Sequence, residues 1–394
     1  MKPLSTIAAA VSPSATVAAD TLAKQMQAAG KDVINLGPGE PDFDTPEPIK
    51  ESAVTALAAG KTKYTPAAGL PILREAIAAR LSADLGLNYA PAQIVAASGA
   101  KHSVYLSLRA LLNAGDEVVI PAPYWVTYSE AIALTGGTPV VVRCGQDRNF
   151  KITPEQLTDA ITEKTKLFII NNPCNPTGML YTEDELRALC DICVAHDLYI
   201  MSDEIYCELV YDGVFTSAAS LGEAVKERTI LINGVSKSYA MTGWRVGYSA
   251  SNHAIAKIIS NYVSHSTGAP ATMSQIAAAT ALTGDQAHVS AMKEAFRARR
   301  DYICRRLSAI SGIDFLTPQG AFYIMLNIEA CLGKTLGGRH IASDGDFTLA
   351  LLECAQVAVV PGSAFGAPGF IRLSYATGME KLAEGIDRLE KFLG

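Results

Sequence analysis

One lysine lies in surroundings that suit a nucleophile better than a surface charge. Lys237 follows the apolar run 230–232, and the residues around it, GVSKSYAMTG at 234–243, are mostly small. Arg245 comes eight positions later. A lysine amine attacks a carbonyl only when it is neutral, and burial or nearby positive charge lowers its pKa. We therefore interpret Lys237 as a buried nucleophile.

Further polar residues directly follow predicted strands. The turn Ser-Gly-Ala-Lys at 98–101 begins a helix, and the free backbone N–H groups at a helix start bind phosphate well. Asn175 presents an amide in the turn sequence NNPCNPTG. Asp203 and Tyr206 lie in SDEIY, although Asp203 taken alone also fits a helix cap. Together these residues offer a carboxylate, an amide, a phenol and a phosphate turn.

Seven short apolar runs predict the strands that position these residues. They lie at 94–97, 117–120, 139–142, 167–171, 198–202, 229–233 and 246–249. Helical patterns separate several of them, for example at 101–112 and 183–196. Such alternation is typical of an α/β fold with a mostly parallel, doubly wound sheet covered on both faces. Its binding crevice lies at the carboxyl ends of the strands, where the polar residues fall.

The length of 394 residues predicts two domains, because it exceeds a typical single core. After about residue 291 the pattern changes to a charged helix at 292–308, short strands and an amphipathic helix at 379–392. We predict a large domain at 47–290. A smaller α+β domain would combine residues 1–46 with residues 291–394, since chain termini often meet.

The composition argues against several classes of partner. Charged residues make up 18% of the chain, the net charge is -6, and no cluster of Lys or Arg stands out. Nucleic acids and anionic membranes are therefore not expected as partners. No apolar run approaches the roughly 20 residues that cross a bilayer. The eight cysteines show no disulfide spacing, so we expect a cytoplasmic protein with reduced thiols.

A CxxC pair at Cys190 and Cys193 raises the alternative of redox or metal chemistry. Thr182 and Glu185 form a capping box just before it, which predicts a helix there. Both cysteines then fall on the apolar face of that helix, and no second CxxC or nearby histidine pair completes a zinc site. We interpret the pair as part of the core.

The combined set matches the chemistry of pyridoxal 5′-phosphate. A lysine forms the Schiff base with this cofactor, a buried carboxylate keeps the pyridine nitrogen protonated, and backbone and side-chain donors hold the phosphate. The protonated ring can then absorb the electrons released when a substrate loses its α-proton. The candidates are Lys237, Asp203, Arg245 and the turn at 98–101.

The sequence resembles the class I aminotransferases of pyridoxal phosphate fold type I. It is most similar to the bacterial aspartate aminotransferases of the I-beta subgroup. The likeness spans nearly the whole chain and is highly specific in the order and combination of its motifs. These are LGPGEPDFDTP (36–46), KTKYTPAAG (61–69), PYWVTY (123–128), NPTG (175–178), SDEIY (202–206), SKSYAMTGWRVGY (236–248) and RLSYA (372–376).

The resemblance implies a role for each residue at the cofactor ring. Lys237 would form the Schiff base and later move the proton between the substrate Cα and the cofactor. Asp203 would pair with the pyridine nitrogen. Asn175 and Tyr206 would bond the 3′-oxygen, and Trp125 would stack on the ring face. Taken singly, the two aromatic residues also fit core positions.

The resemblance also implies contacts to the phosphate and to the substrate. The phosphate would be held by the backbone of Gly99, Ala100 and Lys101, together with Ser236 and Arg245. Tyr64 would reach it from the partner subunit of a homodimer. Many relatives carry a serine where this chain has Gly234, so Ser236 is the hydroxyl expected there. Arg372 would clamp the substrate α-carboxylate, assisted by Asn175 and the backbone of Gly39.

The implied reaction moves the α-amino group of an L-amino acid, with aspartate first, to 2-oxoglutarate or oxaloacetate. The segment SHSTGAPAT (264–272) has no arginine for the side-chain carboxylate. The resemblance instead implies Lys101, with Ser14 and Thr16, as its partners. Lys101 also fits a solvated first-turn helix residue. Ser12 stands where relatives that accept prephenate carry a lysine, which argues against that substrate.

Three alternatives remain open at this point. The first is an aromatic, prephenate or broad-specificity aminotransferase. The second is a pyridoxal phosphate lyase on the same fold, because it begins with the same removal of an α-proton. The third is a binding module without catalysis, of the kind that regulators attach to a DNA-binding domain, although no such added domain is visible here.

Overall fold

The computed structural model describes residues 2–9, 11–13 and 15–394. Ser14 and the side chain of Thr16, both expected near the substrate, lie outside the described residues. The strands are β1 Ile34–Asn35, β2 Ile94–Ala97, β3 Glu117–Ala122, β4 Thr138–Arg143, β5 Thr165–Asn171, β6 Tyr199–Asp203, β7 Thr229–Gly234, β8 Gly247–Ala250, β9 Asp314–Phe315, β10 Tyr323–Asn327, β11 Thr335–Leu336, β12 Arg339–His340, β13 Val357–Ala358, β14 Val360–Pro361 and β15 Phe370–Ser374. The helices are α1 Thr6–Ala9, α2 Ala15–Ala28, α3 Glu47–Ala58, α4 Pro71–Leu85, α5 Ala100–Leu111, α6 Thr127–Leu134, α7 Pro154–Ala160, α8 Glu183–Ala195, α9 Glu223–Arg228, α10 His253–His265, α11 Thr272–Thr283, α12 Ala287–Leu307, α13 Asp344–Ala355 and α14 Met379–Leu393.

A seven-stranded sheet forms the centre of the fold, in the order β2-β8-β7-β6-β5-β3-β4. Its strands pair in parallel except for β8, which runs antiparallel to both β2 and β7. Every residue of β7 is buried, and such continuous apolar runs are typical of strands covered on both faces. The predicted mostly parallel, doubly wound α/β sheet is therefore confirmed.

Alternate side chains of one strand pack against different helices. In β5, Leu167 and Ile169 belong to a core with α5, α6 and α10. Phe168 and Ile170 belong to a core with α7, α8 and α9. The two-residue period of a strand explains this division, because successive side chains point to opposite faces. Helices α3, α4 and α11 complete the cover at the end of the sheet that carries β2 and β8.

A second, four-stranded antiparallel sheet has the order β14-β15-β10-β9. It shares a core with α12, α13 and α14, which includes the fully buried Phe296, Phe322 and Phe347. Tyr206 and Leu209, which follow β6, belong to the same core. The second sheet therefore packs against the carboxyl edge of the first. The division of the chain into a large and a small domain stays a prediction.

The strand and helix predictions agree with the observed elements. Each of the seven predicted strands lies within two residues of an observed strand at both ends. Thr182 Oγ1 accepts a hydrogen bond from the Glu185 backbone N–H at 3.3 Å, and Glu185 Oε2 accepts one from the Thr182 N–H at 2.8 Å. Cys190 and Cys193 are buried, unpaired thiols in α8, which confirms that they belong to the core. No helix among the described residues is long and apolar enough to cross a membrane.

Candidate active site

A cavity of about 350 Å³ lies where the carboxyl edge of the central sheet meets the second sheet. The ends of β5 and β6, the loop after β7, the start of α5 and the segment 37–40 all contribute to its wall. The residues predicted from the sequence that line it are Gly39, Ala100, Lys101, Trp125, Asn175, Asp203, Tyr206, Ser236, Lys237, Arg245 and Arg372. Side chains distant in sequence therefore meet in one cavity, because parallel strands end at the same edge.

Lys237 lies three residues beyond β7, with its amine inside the cavity. Its Nζ donates a hydrogen bond to the backbone oxygen of Gly39 at 2.5 Å. Burial lowers the pKa of the amine to about 8, and the positive charges of Arg372 and Arg245 act in the same direction, whereas Glu40 opposes them. A useful fraction of the amine is therefore neutral near physiological pH, as a nucleophile requires.

Asp203 is the last residue of β6, and this buried residue lines the cavity. Burial raises its pKa to about 6, although hydrogen bonds from the Tyr128 hydroxyl (2.6 Å) and the Ile205 N–H (3.3 Å) oppose that rise. The group is thus mainly an anion at neutral pH, in a place where a charge without a partner is costly. A cationic ring nitrogen in contact with it would relieve that cost.

Tyr128 is a residue of the cavity that the sequence reasoning missed. It is fully buried on α6, donates to Asp203, and lies edge-on to Trp125 with the ring centroids 5.4 Å apart. Both aromatic residues belong to the segment PYWVTY. Their spacing of three residues is the available signal, because it places two side chains on one side of a helical turn. Trp125 and Tyr128 form one wall of the cavity.

Arg372 reaches the cavity from β15 in the second sheet. Its Nη1 donates to Asn175 Oδ1 at 3.0 Å, and its Nη2 donates to the backbone oxygen of Gly37 at 2.5 Å. Its Nε is buried without a hydrogen-bond partner among the described residues. No carboxylate of a described residue forms a salt bridge with this guanidinium. A buried cation so placed is suited to bind a carboxylate from a small molecule.

The start of α5 lines the cavity through Ala100 and Lys101, whereas Gly99, just before it, does not line the cavity but packs against Arg245. Gly99 has φ of +89°, a conformation that favours glycine, and a Cβ there would overlap the guanidinium of Arg245 in its present position. Arg245 itself has φ of +56°, and it donates from Nη1 to the Thr242 oxygen at 2.8 Å and from Nη2 to the Ser98 oxygen at 3.3 Å. A guanidinium beside the free N–H groups at the start of α5 is a suitable place for a phosphate.

Lys101, in the first turn of α5, also lines the cavity. Its Nζ is 5.2 Å from the centroid of the Trp125 ring, a cation–π arrangement. Burial lowers the pKa of Lys101, and the nearby charge of Arg245 lowers it further. Lys101 is therefore not a fully solvated surface lysine.

Some expected neighbours are not brought into this cavity. Tyr64 is completely exposed and does not line it, so its contact with a partner subunit stays a prediction. The side chain of Thr16 lies outside the described residues. Val17 and Asp20 on α2 do line the cavity, and so does Glu40. The sequence reasoning assigned no role to these three residues.

The fit of these groups to pyridoxal phosphate follows from their chemistry. The lysine has a lowered pKa and lies in the same cavity as the buried carboxylate of Asp203, which forms no salt bridge with any described residue. Ala100 at the start of α5 and the guanidinium of Arg245 line the same cavity, and so does Arg372, whose Nε has no hydrogen-bond partner among the described residues. Such a cavity at the carboxyl edge of a mostly parallel sheet defines a pyridoxal-phosphate-dependent enzyme of fold type I.

A family model identifies the protein family to which this chain belongs. The family model described as aminotransferase class I and II matches residues 31–389. The chain belongs to this family, and it is a pyridoxal-phosphate-dependent transaminase acting on amino acids and 2-oxo acids.

Curated relatives and solved structures match over nearly the whole chain. An aspartate aminotransferase from Geobacillus stearothermophilus is 48% identical and covers 98% of this chain and 97% of its own. An aspartate/prephenate aminotransferase from Cereibacter sphaeroides is 47% identical, with 99% and 98% covered. The crystal structure of an aspartate aminotransferase from Rhizobium meliloti has a TM-score of 0.96 at 39% identity, with 100% and 99% covered. The enzyme from Thermus thermophilus with maleate has a TM-score of 0.94 at 40% identity, with both chains fully covered.

Proposed function

We propose that this transaminase moves the α-amino group of L-aspartate to 2-oxoglutarate. The observation that carries the proposal is the buried guanidinium of Arg372, which has a free Nε and lies in one cavity with the Lys237 amine. A carboxylate bound at Arg372 would hold the adjoining Cα of an amino acid close to that amine. The names of several relatives, among them the enzyme from Geobacillus stearothermophilus, support aspartate as the donor.

Each polar group at the ring end of the cavity has a proposed task. Bound pyridoxal phosphate supplies an aldehyde for the amines and a ring that stabilises negative charge at Cα. Lys237 accepts the proton from the substrate Cα on Nζ and then donates it to the cofactor. Its lowered pKa allows both transfers. Asp203 holds the proton on the ring nitrogen. Asn175 and Tyr206 bind the 3′-oxygen, and Trp125 covers the ring face.

The other groups hold the phosphate and the substrate. The proposed phosphate ligands are the backbone of Gly99, Ala100 and Lys101, together with Ser236 and Arg245. Gly39 is proposed to contact the substrate through its backbone. The hydrogen bond from Lys237 to its oxygen places this backbone beside the reacting amine. Thr16 stays a proposed substrate contact. Arg372 fixes the α-carboxylate, and Asn175 holds one of its guanidinium nitrogens in place.

Replacing Lys237 tests the reaction directly. Lys237→Ala should lose transamination while it still binds the cofactor without a covalent bond. Lys257, an exposed residue on α10, provides the matched control, because Lys257→Ala removes a lysine that does not line the cavity. The measurement is turnover of aspartate with 2-oxoglutarate, together with the visible absorbance of the bound cofactor. Full turnover in Lys237→Ala would contradict the assignment.

The amino acid alone separates a transaminase from a lyase. A transaminase stops at the pyridoxamine form of the cofactor until a 2-oxo acid is added, because the amino group stays on the cofactor. A lyase continues to turn over without an oxo acid. A single absorbance trace with aspartate, followed by addition of 2-oxoglutarate, distinguishes these outcomes.

The preference for aspartate is proposed to depend on Lys101. An ammonium without bidentate geometry binds a distal carboxylate more loosely than arginine does, so neutral and aromatic side chains should be tolerated. Lys101→Ala should reduce kcat/KM for aspartate by a factor that corresponds to roughly 1–3 kcal/mol of transition-state stabilisation. The value of kcat/KM for phenylalanine should change little. Equal losses for both substrates would show that Lys101 does not read the side chain.

A broader aspartate/prephenate activity is the second candidate. It is favoured by the name of the relative from Cereibacter sphaeroides, which is nearly as similar as the aspartate aminotransferases. The apolar faces of Trp125 and of the neighbouring Lys101 stem could accommodate a ring. Measuring kcat/KM for prephenate beside that for oxaloacetate decides between the two.

We also propose that the enzyme is a cytoplasmic homodimer in which Tyr64 completes the site of the partner subunit. All eight cysteines are free thiols, as is usual in a reducing compartment. Mixed dimers test the shared site. Tyr64→Ala and Lys237→Ala chains, unfolded and refolded together, should form mixed dimers with one intact site each, about a quarter of all sites. Activity no greater than the average of the two variants would contradict sharing.

A further inference from the structure

Two buried tyrosines connect the two sheets inside the cavity. Tyr206 follows β6 in the central sheet, and Tyr323 is the first residue of β10 in the second sheet. Their hydroxyl oxygens are 2.8 Å apart, and both rings line the cavity. Both side chains are almost completely buried. The hydroxyl pair is therefore a direct polar contact between the two sheets at the active site.

The ring of Tyr323 also contacts Arg372. The guanidinium carbon lies 4.4 Å from the centroid of the Tyr323 ring, closer than the 4.8 Å to the Phe365 ring. β10 pairs with β15 so that Met325 is opposite Arg372 and Tyr323 is opposite Ser374. Tyr323 and Arg372 are thus diagonal neighbours on one face of the sheet, within reach of long side chains. The aromatic ring supports the guanidinium from one side.

We propose that Tyr323 is a positioning residue that orients both Tyr206 at the cofactor and Arg372 at the substrate carboxylate. This proposal rests on the proposed function, and in particular on a bond from Tyr206 to the 3′-oxygen of the cofactor. The hydroxyl of Tyr323 serves the first task, and its ring serves the second.

The hydrogen-bond capacity of a phenol sets the direction of the Tyr323–Tyr206 bond. A tyrosine hydroxyl has one proton to donate, and its oxygen can also accept. If Tyr206 donates to the 3′-oxygen, its own oxygen must accept from Tyr323. Burial raises the pKa of both phenols, so both keep their protons. Chains of hydrogen bonds strengthen one another, and Tyr323 therefore makes Tyr206 a better donor.

The ring acts on Arg372 through geometry and not through a hydrogen bond. Nη1 and Nη2 are held by Asn175 and Gly37, which fix two of the three guanidinium nitrogens. Stacking on Tyr323 fixes the plane in which the third, Nε, can meet a carboxylate. Loss of the ring should weaken every substrate alike, because all of them carry the α-carboxylate.

Two variants of Tyr323 separate these tasks in the enzyme loaded with cofactor. Tyr323→Phe removes the hydroxyl and keeps the ring. A weaker bond from Tyr206 should raise the pKa of the Schiff base, so the pH at which the visible absorption changes should rise by about half to one unit. KM for aspartate and phenylalanine should change less than about twofold, and Tyr323→Leu should raise both roughly tenfold.

Tyr375 provides the matched control. It is a fully buried phenol in the same core, its hydroxyl donates to the Ala321 oxygen at 3.3 Å, and it does not line the cavity. Tyr375→Phe should leave both the absorption titration and KM at wild-type values. If it shifts the titration as far as Tyr323→Phe does, the effect is a general loss of packing and the proposal is overturned.

Tyr206→Phe distinguishes failure of this proposal from failure of the proposed function. A shift in Tyr206→Phe without one in Tyr323→Phe overturns the coupling and keeps the role of Tyr206. No shift in either variant overturns both. In the double variant the shift should equal that of Tyr206→Phe alone, because Tyr323 acts through Tyr206. Should Tyr323→Phe fail to fold, 3-fluorotyrosine at position 323 keeps the packing. Because it is a stronger acid and a better donor to Tyr206, it should move the absorption titration to lower pH. An unmoved titration would overturn the coupling.

Discussion

Replacing Lys237 by methionine should change how the stability of the cofactor-free protein depends on pH. The pKa of the amine is about 8 in the folded chain, against an ordinary value of 10.5. The difference of about 2.5 units, at ~1.36 kcal/mol per unit, is ~3 kcal/mol. This is the free energy by which the buried charge destabilises the folded protein at neutral pH. Methionine fills a similar space without that charge.

The direction of the pH effect follows from proton counting. Between about 8 and 10.5 the unfolded chain keeps the lysine proton while the folded chain has released it. The unfolded state then binds more protons, so the wild type gains stability as the pH rises through this window. Lys237→Met does not titrate there. It should be more stable than the wild type at pH 7 by ~3 kcal/mol, and the gap should shrink above pH 8.

Urea unfolding at a series of pH values across that window measures the gap. Titrating groups that do not interact with Lys237 contribute equally to both proteins, and Asp203, which does interact with it, has a pKa of about 6, below this window. The difference across the window therefore reports mainly on Lys237. Lys257→Met, at an exposed site, should give a difference that is small and independent of pH. A gap between wild type and Lys237→Met that stays constant from neutral pH to above 10.5 would refute the reasoning, because the lysine would then titrate alike in both states.

Three further substitutions test the cavity. Tyr128→Phe removes the 2.6 Å bond to Asp203 and should lower kcat/KM about tenfold or more, as loss of a bond to a charged group does; unchanged kinetics would count against it. Arg372→Ala should raise KM for every amino acid and oxo acid, by amounts worth ~2–5 kcal/mol, and an effect on one substrate only would contradict its role. Gly99→Ala should weaken cofactor binding in an equilibrium titration, because its Cβ displaces Arg245; wild-type affinity would show that this guanidinium does not hold the phosphate.

Residues that directly follow parallel strands were the easiest to place from the sequence. Asn175 and Lys237 come after β5 and β7, and Asp203 is the last residue of β6; the strand pattern alone predicts that such positions share one edge. The apolar runs also predicted the strand bounds closely, because a strand buried on both faces is an unbroken run of apolar residues. The antiparallel direction of β8 has no signature of this kind. The path of the segment between two strands decides whether they pair in parallel or antiparallel. A buried strand has the same apolar pattern in either direction.

Residues contributed by the second sheet could not be placed in this way. Arg372 entered only through the family resemblance, since nothing in the order of the central strands says where β15 packs. Tyr323, in GAFYIMLNI, has the pattern of an ordinary core strand. Its contact with Tyr206 depends on the packing of two sheets whose residues are more than a hundred positions apart. Periodicity describes single elements, and it carries no information on such long-range contacts.

The position of β8 between β2 and β7 has a consequence for the order in which the enzyme matures on the ribosome. Among the described strands β2 pairs with β8 alone, and the chain reaches β8 only after about 150 further residues have been synthesised. Until then the edge of β2 is open and the turn at Gly99 lacks Arg245. In the proposed site, the nascent chain lacks the Arg245 contact to the phosphate until the segment leading into β8 has been made, and Arg372 follows still later. Cofactor capture should therefore be a late event in synthesis, and the open β2 edge before it is a place where premature pairing with another chain can occur.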